Sequence, residues 1–417
     1  MHKLNIAILS YRSAEFGGGQ GVYVKDISNA LHRSGHNVEV ISGPPYPNLD
    51  SKIKLIKLPG LNLFETFSFK DRLKKLYHKR NKKLNDYYEF ISVLLGGFPE
   101  PKTFGDRVDK FINDNNNYDV IIDNQSISYG MLNIQKNNPF IEIIHHPITF
   151  DYKFELAASK KIKYRISRYR WYSFLKMQKK VAPNIKNIIT PSNSSKKGII
   201  EEFGCSKDTI TVINNGLDTD EFAPVESSIR DPYRLITTAS ADVPLKGLDY
   251  SLKALKQLKK EFPKIHLIVI GKIKEEGHTR RLIQNLNISD SVFFKSNLSK
   301  NEIKNLYSTS SIAIVSSLYE GFGYPVIEAM SCQVPLIATN VSSIPELTSD
   351  YANLISPKDE NAIEKNVKEI LLNYNLYKEK AIRGRNHIIE TFNWDKITSE
   401  YEKLIYKTIR SFKDANL

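Results

Sequence analysis

Short apolar runs alternate with helical patterns along the whole chain. Residues 4–10 (LNIAILS) read as a strand, and the glycine cluster Gly17-Gly18-Gly19-Gln20-Gly21 follows it. Val22, Val24, Ile27 and Leu31 then form a helical stripe that Gly35 ends. The next strand-like runs are 36–42 (HNVEVIS), 119–123 (DVIID), 140–144 (FIEII), 187–190 (NIIT) and 210–213 (ITVI). The second half repeats the rhythm at 234–238, 266–271, 292–294, 312–315, 335–338 and 353–355, with helical stretches such as 248–262 between nearly all of them. Most runs are apolar at successive positions rather than at every second one, so each strand is expected to be covered on both faces. Alternation of this kind predicts an α/β protein built on mostly parallel sheets with helices on either side. Two such blocks are present. The least periodic link between them, 223–233 (APVESSIRDPY), contains two prolines and is the expected hinge. That divides the chain into domains 1–222 and 223–394, followed by a last helical pattern over 395–412.

At 417 residues the chain has room for two domains of ordinary size, and 41% hydrophobic content with 11% aromatics suits a folded protein. No apolar run approaches the roughly eighteen residues that a membrane-spanning helix needs. The N-terminal apolar run is too short for a secretory signal and lacks a small-residue cleavage site, so a cytoplasmic protein is expected. Cys205 and Cys332 have no close partners and no metal-ligand spacing, which suits plain reduced thiols. The net charge of +14 fits nucleic acid, an anionic membrane surface or acidic small molecules as partners. It fits equally a sequence rich in Lys, Asn and Ile throughout. Where the charges cluster therefore says more than their sum.

Two features join strands to helices in a way that suits phosphate chemistry. The cluster Gly17–Gly21 brings backbone close to a helix N-terminus, which offers free N–H groups and a partial positive charge. A dinucleotide fingerprint starting at Gly17 would need a third glycine where Val22 stands, so that motif fails. A tight turn and a phosphate loop remain open for this segment, with Gly18 and Gly19 as its candidate donor-binding residues. The more specific run is Glu320-Gly321-Phe322-Gly323-Tyr324-Pro325-Val326-Ile327-Glu328-Ala329, which follows strand 312–315 and opens a helix. Glu320 stands at a strand's C-terminal mouth, where open α/β sheets bind ligands. Gly321 and Gly323 leave backbone amides open to a sugar phosphate, and Glu328 can reach ribose hydroxyls.

On these residues the chain resembles the retaining glycosyltransferases of family 4. Asn215-Gly216-Leu217-Asp218 with Phe222 resembles the family's N-G-x-D loop, and Lys246-Gly247-Leu248-Asp249 its K-G-x-D helix start. Ile344-Pro345-Glu346 resembles a donor-side loop, and Phe392-Asn393-Trp394 precedes a last helix, 395–417, that in the family returns to the N-terminal domain. The resemblance implies a GT-B fold: two Rossmann-like domains with parallel sheets facing across a cleft, the acceptor held mainly by the first and the donor mainly by the second. It implies that Lys246 pairs with the donor diphosphate, Glu320 contacts the transferred sugar and Glu328 the ribose. Backbone amides around Phe322 and Gly323 complete the sugar pocket. It also implies a histidine at the end of an N-domain strand, for which His146 is the candidate and His145 the reserve. The implied activity is retaining transfer from a UDP- or GDP-sugar to a hydroxyl of a glycan or lipid-linked acceptor, giving an α-linked product without a cofactor. Two departures stand out. No arginine occurs in 238–242 (TASAD), where the family often has G-R, and Ser342-Ser343 replaces its G-G. Asp218-Thr219-Asp220 matches a metal-binding D-x-D, but its place in the hinge loop favours a structural role, and no required metal is expected.

Charge concentrates in two segments of the acceptor-side domain. Residues 70–83 hold eight Lys or Arg and one acid, Asp71; residues 158–182 hold nine and no acid. In the second, Tyr164, Tyr169, Trp171, Tyr172 and Phe174 are interleaved with the charges, a composition suited to a helix on an anionic bilayer. Solvated faces of a lysine-rich protein account for the same residues. A nucleic-acid-binding protein is a second class that the charge allows, although no reading motif supports it and no nucleic-acid partner is expected. A nicotinamide-dependent oxidoreductase is a third, against which Val22 argues.

Overall fold

The structure is a computed structural model that describes residues 2–13, 19–64, 66–115 and 117–416. It divides into two compact units, residues 1–215 with 394–417, and residues 216–393.

The first unit contains β1 (Asn5–Ser10), β2 (Asn37–Ser42), β3 (Lys54–Lys57), β4 (Val120–Asn124), β5 (Phe140–Ile143), β6 (Ile188–Thr190) and β7 (Ile210–Val212). They form one sheet in the order β3-β2-β1-β4-β5-β6-β7, every neighbouring pair parallel. The unbroken apolar runs are explained by two cores. In β4, Ile121 joins the core on one face while Val120 and Ile122 join the core on the other. A fully buried aliphatic side chain of this size contributes about 1.5–3 kcal/mol, so a strand covered on both faces gains at every residue. The edge strand β3 is half-exposed, and the hydrophobic pattern does not announce it. The helix Trp394–Asp414 belongs to this unit. Its stripe Ile397, Tyr401, Leu404 and Ile405 packs into the same core as β1, and the Tyr401 hydroxyl bonds that of Tyr23.

The second unit contains β8 (Asp231–Thr238), β9 (His266–Ile270), β10 (Val292–Lys295), β11 (Ser310–Val315), β12 (Leu336–Thr339) and β13 (Asn353–Ile355). Its sheet is again all parallel, in the order β10-β9-β8-β11-β12-β13. Each sheet therefore reverses its strand order beside its first strand, between β1 and β4 and between β8 and β11. Connections leave such a point in opposite directions and open a crevice at the strands' C-terminal ends, where ligands of open α/β sheets bind. The proline-containing segment 223–233 packs inside the second unit. Val225 N–H donates to Ser308 Oγ at 3.1 Å, and the Arg230 guanidinium reaches the carbonyls of Tyr307, Ser310, Cys332 and Gln333.

The basic segment 158–182 is not one helix. It is a helix Ile162–Trp171, a 3-10 turn Tyr172–Phe174 and a helix Leu175–Val181. Tyr172 and Phe174 point into the core of the first unit, so only part of the aromatic set stands among the exposed charges. Among the described residues no helix is long and apolar enough to cross a membrane.

Candidate functional site

The crevice of the second unit is built by the loops after β8 and β11. They are tied together where Leu318 N–H donates to the Leu245 carbonyl at 2.7 Å. Gly247, at φ +61°, starts the helix Leu248–Leu258, and a Cβ there would lie 2.0 Å from the Ser316 carbonyl oxygen. Only glycine permits that approach, which explains the second residue of the K-G-L-D run. The result is that Lys246 and Glu320, 74 residues apart in sequence, meet: Lys246 Nζ lies 2.7 Å from Glu320 Oε1. Glu320 is buried, while the Lys246 side chain keeps 27% of its surface.

Glu320 is held from several directions. Ser317 Oγ donates to its Oε1 at 2.7 Å, its backbone N–H donates to Ser342 Oγ at 2.8 Å, and Ser343 Oγ donates to its carbonyl at 2.9 Å. Ser343 Oγ also reaches the Phe322 carbonyl. The two serines that replace the glycines of the family pattern thus fix the loop carrying Glu320. Ser342 adopts φ +45°, a conformation that glycine would take without strain. Among the described residues nothing donates to Glu320 Oε2. One carboxylate oxygen is thus committed to protein partners and the other is not.

Gly323, at φ +115°, is the N-cap of the helix Tyr324–Ser331, so two helix N-termini open at this mouth. The Phe322 side chain lies in the core against Phe392, with ring centroids 6.0 Å apart. The Phe322 ring is therefore taken up by packing. Glu328, half-buried on that helix, is linked back to the strand end. Thr238 Oγ1 at the end of β8 lies 3.1 Å from the Tyr307 hydroxyl, which donates to Glu328 Oε2 at 3.3 Å. Burial first, and the Glu328 carboxylate second, hold the Tyr307 phenol well above its usual range, so it stays a donor.

Sequence reasoning missed Thr238, Tyr307, Ser317, Ser342 and Ser343 as parts of this site. Thr238 and the Ser-Ser pair left a trace only as parts of the two departures from the family pattern. The segment lacking the arginine braces a neighbouring helix instead. Asp242 and Thr279 exchange two hydrogen bonds, of 3.0 and 2.8 Å, at the start of the helix His278–Leu286. In the D-T-D run, Asp218 Oδ1 accepts the backbone N–H groups of Asp220 at 3.1 Å and Glu221 at 2.8 Å. Among the described residues no group of three or more His, Cys, Asp or Glu is placed to hold a metal ion.

The remaining candidates lie in the first unit. Gly18 falls outside the described residues, and Gly19 opens the helix Gly19–Arg33 after β1. His145 and His146 follow β5 at the C-terminal edge of the sheet. Gln125, after β4, clasps both: its Oε1 accepts His145 N–H at 2.9 Å, and its Nε2 donates to the His146 carbonyl at 3.0 Å. The His145 ring lies 2.8 Å from Asn124 Oδ1 and edge-on to Tyr23. Burial, reinforced by His146, pushes His145 down to about 3, so its ring is neutral. The His146 ring is 27% exposed, with Nε2 2.8 Å from Asp151 Oδ2. Beneath them Asp123 and Glu142 face each other in register on β4 and β5, both fully buried. Asp123 accepts Ser126 N–H and Oγ–H, which shapes the turn carrying Gln125. Burial, and then the Asp123 charge, push Glu142 well above the usual carboxylate range.

Comparison with known proteins gives the family and supports the fold. Residues 17–221 match the Glycosyltransferase Family 4 model and residues 219–387 the Glycosyl transferases group 1 model. An MMP alpha-(1->4)-mannosyltransferase of Mycolicibacterium hassiacum is 36% identical over 412 residues, 96% of this chain and 98% of that protein. Among solved structures, a sucrose-phosphate synthase from Thermosynechococcus elongatus superposes with a TM-score of 0.74 at 18% identity, covering 98% of this chain and all of that one. Anabaena HepE in complex with UDP-glucose does so with a TM-score of 0.68 at 15% identity, covering 98% and 100%. At such identities these two structures speak to the fold.

Proposed function

We propose, from the premise that this chain belongs to glycosyltransferase family 4, that it transfers a mannosyl residue from a nucleoside diphosphate-mannose to a sugar hydroxyl, forming an α-(1→4) linkage. The chain is a nucleotide-sugar-dependent glycosyltransferase with the GT-B fold. The observation that carries the donor chemistry is the Lys246–Glu320 contact at the switch-point crevice of the second unit. The sugar and the linkage come over from the Mycolicibacterium relative, whose sequence matches over nearly the full length of both chains.

In this proposal the donor diphosphate lies against Lys246 Nζ and the N–H groups that open the helices Leu248–Leu258 and Tyr324–Ser331. Charge grows on the leaving phosphate as the bond to the sugar's anomeric carbon breaks, and a fixed ammonium with oriented N–H groups stabilises that change without reorganising. Glu320 presents Oε2 to a sugar hydroxyl, and Glu328, oriented by Tyr307, meets the ribose. The acceptor oxygen bonds the anomeric carbon from the leaving-group face, and its proton passes to an oxygen of the departing phosphate. An α-configured donor then gives an α-linked product. The 1–222 domain takes the acceptor, a glycan or a lipid-linked sugar, and His146 positions the transferred sugar. Phosphate groups and the protein supply every charge this scheme requires.

The test is a donor screen on the purified protein with GDP-mannose, UDP-glucose and ADP-glucose, because slow hydrolysis needs no acceptor. Consumption of a mannose donor is expected, and NMR of the product on a mannoside acceptor should show an α anomer. A β-linked product would overturn retention. Selective use of a glucose donor would overturn the assignment of mannose.

A further inference from the structure

Three helices of the first unit leave apolar stripes uncovered. In Ile162–Trp171 no residue is buried at all, and Ile162, Ile166 and Tyr169, spaced to share one face, are 74%, 48% and 56% exposed. In Leu84–Leu94 the exposed residues Leu84, Tyr87, Tyr88, Ile91 and Leu94 make a second stripe. In Phe69–His78, Phe69, Leu73 and Tyr77 make a third. A surface helix normally turns its apolar stripe inward, so three outward stripes call for an occupant.

The helices are joined. The Phe69 and Phe90 rings lie 6.3 Å apart, Leu76 packs on Phe90 and Val93, and a Cβ at Gly96, just past Leu84–Leu94, would meet the Arg170 side chain at 3.8 Å. Charge identifies what covers them. Lys70, Lys74, Arg80, Lys161, Lys163 and Arg170 are exposed, and their side chains bond no other described residue. Asp71 is the one exposed acid in 69–95 and 160–174; Asp86 and Glu89 are buried on Lys79 and Arg107. A second copy of this chain would set the same cations against each other. A polynucleotide would take the cations and leave the aliphatic stripes wet. We infer that this face docks on an anionic lipid bilayer, aliphatic and aromatic side chains entering the headgroup boundary and the lysines and arginines meeting lipid phosphates. Docking stands apart from the donor-site proposal, since no residue it uses belongs to the second unit.

The experiment is co-sedimentation of the full chain with phosphatidylcholine vesicles, with and without phosphatidylglycerol. Binding is expected only with the anionic lipid, and it should fade as salt shortens the Debye length from about 10 Å to about 3 Å. The variant Lys161→Gln/Lys163→Gln/Arg170→Gln should partition about a hundredfold more weakly, since each cation near such a surface contributes about 1 kcal/mol. Ile162→Ser/Ile166→Ser should lose at least about tenfold through lost apolar insertion. Donor hydrolysis by both variants should equal that of the parent and serves as the control for folding. Absence of sedimentation on either vesicle, or equal sedimentation on both, overturns docking, and these wild-type readings need no variant. Light scattering that shows a dimer broken by Ile162→Ser/Ile166→Ser would assign the face to a second copy. Nucleic-acid binding lost in the Gln variant and untouched in the Ser variant would assign it to a polynucleotide.

Discussion

Replacing Lys246 with Ala separates what the lysine does for the fold from what it does for the reaction. In the folded chain its ammonium sits 2.7 Å from Glu320 Oε1, whose other protein partner is the Ser317 hydroxyl. Removal leaves a buried carboxylate with one hydroxyl donor. Truncating one partner of a fully buried pair costs about 3–5 kcal/mol, but Lys246 is about a quarter exposed and water screens it, so about 1–2 kcal/mol is expected. For a unit of this size that lowers Tm by roughly 2–8 °C. The catalytic loss should be larger, because a fixed cation aimed at developing phosphate charge is worth about 3–4 kcal/mol, or roughly 10²–10³ in turnover. Adding Glu320→Gln to Lys246→Ala removes the stranded charge while keeping a group for the Ser317 bond. Tm should then return most of the way, and donor turnover should not. Differential scanning fluorimetry and donor hydrolysis on the four proteins of this cycle give both quantities. Parental turnover in Lys246→Ala would refute the role of the cation. Recovery of turnover along with Tm in the double variant would show that the lysine serves only to neutralise Glu320.

The two glutamates should fail differently. Glu320→Gln is expected to lower turnover with little change in nucleotide affinity, whereas Glu328→Ala should weaken the nucleotide itself, measured by calorimetry. At the buried pair, Glu142 carries a proton when folded and releases it when unfolded, so stability present below about pH 4.3 is lost as pH rises toward the folded value, at up to roughly 1.4 kcal/mol per unit. Glu142→Gln should flatten that dependence, and urea titrations at pH 5 and pH 8 that keep the parental difference would refute it. At the D-T-D run, Asp218→Ala should cost about 1 kcal/mol through its two lost turn bonds. EDTA should leave turnover unchanged; loss restored by Mg²⁺ or Mn²⁺ would assign Asp218 and Asp220 to a metal.

The α/β architecture was legible because strands covered on both faces must be apolar throughout, and a run such as IAIV at 312–315 can serve little else. β3 was not, because an edge strand covers one face poorly: Lys54 and Lys57 point to water, which leaves Leu55 and Ile56 too short a run to mark it. The basic segment 158–182 misled in a related way. Composition counted its aromatics as one set, but a 3-10 turn at Tyr172–Phe174 rotates two of them into the core. The Asp123–Glu142 pair was invisible for the opposite reason. Each acid sits in a run that reads as strand, and only the register between β4 and β5 sets the two carboxylates against each other.

At the switch-point crevice of the second unit the candidate pair was legible and its support was not, and the two serines show why. Lys246 and Glu320 were found by residue type and motif, and the adjacency of β8 and β11 brings them together. Ser342 and Ser343 looked like a loss, since glycine supplies freely the left-handed conformation that this loop requires. At φ +45° Ser342 bears a strain of roughly 1–2 kcal/mol. Its hydroxyl accepts the Glu320 N–H, and Ser343 donates to the Glu320 and Phe322 carbonyls, each bond worth about 0.5–1.5 kcal/mol. Taken together the three bonds outweigh that strain, so the pair costs no stability and adds precision. Glycines would leave the backbone of Glu320 held by its neighbours alone, whereas the serines tie it down on both sides. In the proposed role, where Glu320 meets one sugar hydroxyl, that restraint matters, because misplacing a reacting group by an ångström costs about 10²-fold in rate.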